Sequence, residues 1–230
     1  MQPQYQTIGS SSRVLVSQNR VLRNTYLLLA LSLIPTVIGA ALGVQMKFSL
    51  FAGSPMISLL VFLGVAFAFM WGIERNKDSG LGVALLLGFT FFMGLMLSRI
   101  LQVALGLSNG STLIAMAGVG TSAIFFTLAG IATVTKKDFS FMGKFLFVGL
   151  IVVLLAMVGN IFFQIPALAL TISAVAVVLF SAYILYDVSR IVTGGETNYV
   201  SATLALYLDL SLIHISEPTR RTPISYAVFC

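Results

Sequence analysis

Six stretches of this chain stay apolar for roughly 20 residues each, the length an α-helix needs to cross about 30 Å of hydrocarbon. They cover residues 25–44, 55–73, 80–101, 111–134, 143–163 and 166–188. A seventh stretch, SATLALYLDLSLI, begins at Ser201 and turns polar at His214. Runs of this length do not suit strands, because a membrane barrel would show alternating segments of about ten residues. Inside lipid, backbone donors and acceptors must be paired within the segment itself, which leaves the helix. The sequence predicts an all-α, polytopic membrane helical bundle with six full spans plus a seventh that is shortened or altered at the C-terminus. A polar tail (1–24) precedes the bundle (25–213), and an atypical polar tail (214–230) follows it.

Charge agrees with this reading. Charged residues make up 9% of the chain, against about 25% in a soluble domain. Too few charges remain to cover a water-facing surface, so the bilayer is the solvent for most of the molecule. Of the 13 Lys and Arg, nine lie on one side of the predicted bundle: Arg13, Arg20, Arg23, Arg75, Lys77, Lys136, Lys137, Lys144 and Arg190. Lys47 and Arg99 lie on the other side, and Arg220 and Arg221 in the tail. This bias predicts a cytoplasmic N-terminus. The net charge of +6 therefore reads as topology signal and headgroup contact. No basic patch is interleaved with aromatics as nucleic-acid stacking needs, so no nucleic-acid partner is expected. The first 24 residues lack the apolar core of a cleaved signal peptide, which makes the first helix its own insertion signal.

Cys230 is the single cysteine, which excludes an intramolecular disulfide and a cysteine metal site. His214 is the single histidine and reads as structural. No metal and no cofactor are expected. Gly39 and Gly43 form a GxxxG pair in the first span, and Gly118, Gly120, Ser122 and Ala123 give the fourth a small face suited to close helix packing. The 18 phenylalanines and nine methionines read as apolar filling.

Ionisable residues within spans are the best pointer to function, because placing charge in lipid is costly. Asp187 lies near the end of the sixth span, and Arg190 stands three residues on, in position for an ion pair on one helix face. Asp209 lies about two turns into the seventh, among Leu206, Leu208 and Leu210, with no basic residue within four positions. Its partner must come from another helix, and the short connection between spans six and seven makes Asp187 the geometric candidate. Two such carboxyls would share a proton and titrate as a coupled pair. The result is a pH-dependent latch between two helices, with Arg75 as a balancing charge. Asn160 and Gln164, four apart on the fifth span, are candidates for lining a polar path or for bonding between helices.

Enzyme readings lack a site. Tyr186-Asp187 and Pro166-Ala167-Leu168 resemble pieces of an intramembrane aspartyl protease, but Leu206-Tyr207-Leu208-Asp209 stands where Gly-x-Gly-Asp would be needed. The Pro-Ala-Leu string also lies on the same helix as Tyr-Asp. HExxH and P-loop patterns are missing from the sequence.

Four strings carry a resemblance: VLRNTYLLLALSL, TKKDFSFMGK, MVGNIFFQIPAL and GGETNYVSATLALYLD. On these, residues 17–209 resemble the Bax inhibitor-1 family of seven-helix membrane proteins and, within it, the bacterial YccA-type group. The resemblance implies a seven-helix bundle in the bacterial inner membrane with a cytoplasmic N-terminus. It implies binding to an FtsH-type membrane protease, with the polar tail 1–24 as the protease's starting point. It also implies, from other members, a pH-sensitive calcium leak whose sensor is an aspartate pair at Asp187 and Asp209, joined by an arginine matched here by Arg75. The chain departs from the family after Leu210. There SLIHISEPTRRTPISYAVFC replaces a continued apolar helix and reads as an out-of-frame or chimeric tail, with Pro218 and Pro223 expected to break the helix.

Overall fold

The computed structural model describes residues 7–48 and 55–221. Its helices are α1 (Thr7–Gln45), α2 (Pro55–Arg75), α3 (Gly80–Leu105), α4 (Gly110–Thr135), α5 (Gly143–Phe163), α6 (Pro166–Thr193) and α7 (Tyr199–Arg221), with one 3-10 turn, η1 (Ser140–Met142), before α5. Among the described residues there is no strand. Among the described residues, five helical segments are long and apolar enough to cross a membrane, and α7 contributes a shorter apolar stretch, Tyr199–His214. The chain is therefore a multi-pass helical membrane protein. We call the end holding the α2–α3, α4–α5 and α6–α7 connections the basic end.

Local chemistry sets the helix limits. Pro166 occupies the first turn of α6, where its missing N–H costs no hydrogen bond. Lys136 and Gln164 close α4 and α5 in the left-handed region, at φ 51° and 50°. Gly194 closes α6 at φ 84°, where a side chain would be strained. The α4–α5 connection is tied to α6 by Ser189, whose hydroxyl donates to the Lys137 carbonyl (2.8 Å) and accepts from the Phe139 N–H (3.1 Å). In the same connection the hydroxyl and N–H of Ser140 both donate to Asp138, holding its carboxyl below the usual carboxylate range.

α1 is one helix from Thr7, so part of the polar segment runs into the first span as helix. One expectation is corrected at the other end of the chain. The seventh helix does not stop near His214. It continues to Arg221 with Pro218 inside it. Proline removes one backbone bond and crowds the carbonyl four residues back, which is a cost and not a prohibition. The hydrophobic stretch nevertheless ends at His214, as the sequence indicates. Pro223 lies outside the described residues.

The core is where α1, α3, α6 and α7 meet. Ile73, Leu86, Phe89, Ile184, Val188, Leu206, Tyr207 and Ile213 are buried there. Phe126, Phe145, Phe162, Leu155 and Val178 face outward, as lipid contact requires. The α1–α3 contact is the most extensive in the bundle, and glycines make it possible. A Cβ on Gly39 would fall 2.3 Å from the Phe91 carbonyl oxygen, and one on Gly94 would fall 2.1 Å from that of Thr36. The glycine pair of α1 thus packs as expected, with Gly94 of α3 as a partner that the spacing did not single out. The small face of α4 does not pack this way: a Cβ on Gly118 or Gly120 meets nothing within 4 Å.

Candidate functional site

The α6–α7 connection, residues 194–198, builds the site. Gly195 and Glu196 donate their N–H groups to the Arg190 carbonyl at 2.7 and 3.1 Å, folding the chain back over the end of α6. Glu196 then accepts from the Thr197 and Asn198 N–H groups. Asn198 Oδ1 caps α7 by accepting from Val200 N–H (2.8 Å) and Ser201 N–H (3.3 Å). Its Nδ2 donates to Asp78 Oδ1 (2.7 Å) and the Lys77 carbonyl (3.3 Å), while Ser201 donates to Glu74 (2.9 Å). Lys77 is ion-paired with Glu74, which holds its ammonium above the ordinary lysine range. The GETN string therefore fixes where α7 begins and ties that start to the α2–α3 connection. Sequence reading used this string only for resemblance; the Asx-cap chemistry of Asn198 was the available signal. Asn198→Ala is expected to cost about 0.5–2 kcal/mol, measured as denaturant unfolding in micelles. Asn198→Ser should keep a cap and lose the Nδ2 bonds, separating the two contributions.

With α7 started there, ten residues bring Asp209 opposite Asp187 of α6. The two carboxyls lie within hydrogen-bonding reach of each other. Asp209 is buried, 6% exposed, and its Oδ2 has no hydrogen-bond partner. Facing carboxyl oxygens hold together only with a proton or a cation between them. Tyr183, Arg190 and Glu196 are the charged or ionisable groups that bear on the pair. The Asp187–Arg190 ion pair allowed by their spacing is replaced by Arg190–Glu196 at 3.8 Å, because the folded-back loop delivers Glu196 to the guanidinium. Arg190 also lies 5.7 Å from the Tyr186 ring centroid.

The other candidates stand apart. Arg75 ends α2 with its guanidinium 5.2 Å from the Trp71 ring centroid. Asn160 accepts from the Ile165 N–H at 3.1 Å, shaping the α5–α6 turn. Gln164 is not on the fifth helix: it is the residue that ends it, exposed and in the left-handed region. Among the described residues no group of three or more His, Cys, Asp or Glu side chains could hold a metal ion.

Fold and site together define a class: a multi-pass helical membrane protein whose last two helices present facing carboxyls, buried Asp209 and half-buried Asp187. The sequence model described as "Inhibitor of apoptosis-promoting Bax1" matches residues 18–216. The chain belongs to the Bax inhibitor-1 family. An uncharacterised protein of Neisseria meningitidis is 41% identical over 197 residues, 85% of this chain and 87% of its own length. The "Modulator of FtsH protease YccA" of Escherichia coli K12 is 39% identical over 202 residues, 88% of this chain and 89% of its own. Its counterpart in a second Escherichia coli strain, with the same identity and coverage, is named "Inner membrane protein YccA".

Proposed function

We propose that this chain modulates membrane-protein quality control by binding an FtsH-type protease in a bacterial inner membrane, with its N-terminus in the cytoplasm. The observation that carries this reading is the similarity to the Escherichia coli FtsH modulator along 88% of the chain. The helical extension of α1 supports it. From Thr7 to the apolar run that begins at Thr25, α1 rises about 27 Å at 1.5 Å per residue. In this reading the polar sequence of that stretch gives a cytoplasmic protease domain its grip ahead of the first span. Deleting residues 2–20 tests the reading. Degradation of a membrane substrate by the protease should be slowed by the full chain. The deleted chain should escape degradation itself and still reach the membrane. Equal half-lives for full and deleted chains, and no co-purification with the protease, would remove the proposal.

A second reading is favoured by one observation, the unpartnered oxygen of Asp209 beside Asp187. In it the aspartates form a proton-operated latch between α6 and α7, with Arg75 as a balancing cation and Asn160 and Gln164 on a polar path, and calcium ion as the permeant. Calcium flux into proteoliposomes, compared at about pH 6 and pH 8 to bracket a coupled carboxyl pair, is expected to depend on pH. Asp209→Asn should fix the flux at one level. Flux equal to empty vesicles at both values, from folded protein, would sink the leak reading and leave protease modulation standing.

A further inference from the structure

We propose that the cleft between α1 and α4 binds one acyl chain of a bilayer phospholipid. The cleft encloses about 730 Å³, within the roughly 300–1,000 Å³ of pockets that take small molecules. Leu97 of α3 and Leu210 of α7 lie on its floor, with Val37 and Ala41 of α1 on one wall and Gly118 and Ser122 of α4 on the other. Val37 is 67% exposed, and Ala41 and Ser122 are exposed too. The cleft therefore opens on the outer face of the bundle, where hydrocarbon lies.

The hydroxyls in the lining argue against an ion or a file of water; Gln45 and His214 are its other polar side chains, and an imidazole is a poor ligand for a hard, oxygen-seeking calcium ion. Thr36 donates to the Ser32 carbonyl (2.9 Å) and is paired with the Tyr207 hydroxyl (2.9 Å). Tyr207 is also bonded to Ser211. Thr121 and Ser122 donate to the carbonyls of Ala117 and Gly118, each at 2.8 Å. A calcium ion needs about six to eight oxygen ligands, and a buried water about three polar partners; these hydroxyls are already engaged. An alkyl chain fits both the shape and the chemistry. It comes from a surrounding fluid of identical chains, and in the cleft it gains dispersion contacts that an empty apolar wall forfeits. Gln45, at the end of α1, and exposed Lys47 just beyond it mark the end of the bundle at which the phosphate would sit.

Gly118 supplies the test, since a side chain there would grow into open space. The full chain is reconstituted in nanodiscs of phosphatidylethanolamine and phosphatidylglycerol, released into detergent, and weighed by native mass spectrometry. One phospholipid per chain should survive washing that strips the rest. Gly118→Phe should lower that retention about tenfold, the equivalent of about 1.4 kcal/mol. Gly130→Phe, at an equally open glycine of α4 outside the cleft, should retain the lipid. Ala41→Phe fills the cleft from the opposite wall and should repeat the loss if Gly118→Phe does not fold. Unchanged retention in the cleft-filling variants, loss in Gly130→Phe as well, or a free fatty acid or detergent in place of the phospholipid would overturn the proposal.

Discussion

Gly94→Ala is expected to cost about 2 kcal/mol of unfolding stability, whereas Gly120→Ala should change it by less than about 0.5 kcal/mol. Both add one methyl group to a helix interior, so intrinsic helix preference favours both equally. They differ in what the methyl meets. At position 94 it would lie 2.1 Å from the Thr36 carbonyl oxygen and 3.0 Å from the Ala40 nitrogen, both backbone atoms of α1. Backbone cannot rotate away as a side chain can, so α1 and α3 must separate along their whole contact. At position 120 nothing lies within 4 Å. Lipid gives no hydrophobic drive to press helices together, so close van der Waals contact carries most of the association. Denaturant titration in mixed micelles, followed by circular dichroism, measures the difference. Equal midpoints for the two variants would show that the α1–α3 approach is not what holds this bundle.

Tyr207→Ala is expected to cost about 3 kcal/mol, the low end of the range for buried aromatics in water-soluble cores. The low end applies because the reference solvent is lipid, so the loss is packing and hydrogen bonding rather than transfer from water. Tyr207 is 1% exposed, its ring meets Phe89 edge-on at 6.2 Å, and its hydroxyl reaches Thr36 at 2.9 Å and the Thr90 carbonyl at 3.4 Å. One side chain thus ties α7 to both α1 and α3. Tyr207→Phe keeps the ring and should cost about 1 kcal/mol, the worth of an interhelical bond in a bilayer. The same unfolding assay reads both variants. A loss in Tyr207→Ala no larger than that in Tyr207→Phe would show that the ring's contacts contribute nothing.

Much of the fold was legible because hydrocarbon imposes a simple rule. A segment that cannot bond to water must satisfy its own backbone, so long apolar runs such as 80–101 and 166–188 read directly as helices. The aspartate pair was legible in part. Asp209 among leucines had no local partner, and a short α6–α7 connection left Asp187 within reach. Side-chain routing was not legible. Spacing allowed Asp187 to pair with Arg190, but the return of the chain over Gly194 gives Arg190 to Glu196. Spacing also placed Gln164 on a helix that Gln164 in fact ends.

By itself the sequence determined the all-helical class, the succession of apolar segments, the charge asymmetry between the two ends and the glycine pair of the first span. These follow from periodicity and transfer energetics, which act within a single segment. Only the tertiary structure decided which glycine faces pack, that Asn198 locks the start of α7 to the α2–α3 connection, and that a cleft opens between α1 and α4. The physical reason is distance along the chain. Thr36 meets Tyr207 across 171 positions, and Asn198 meets Asp78 across 120. Such contacts depend on how rigid helices settle against one another, which no local pattern of residues encodes.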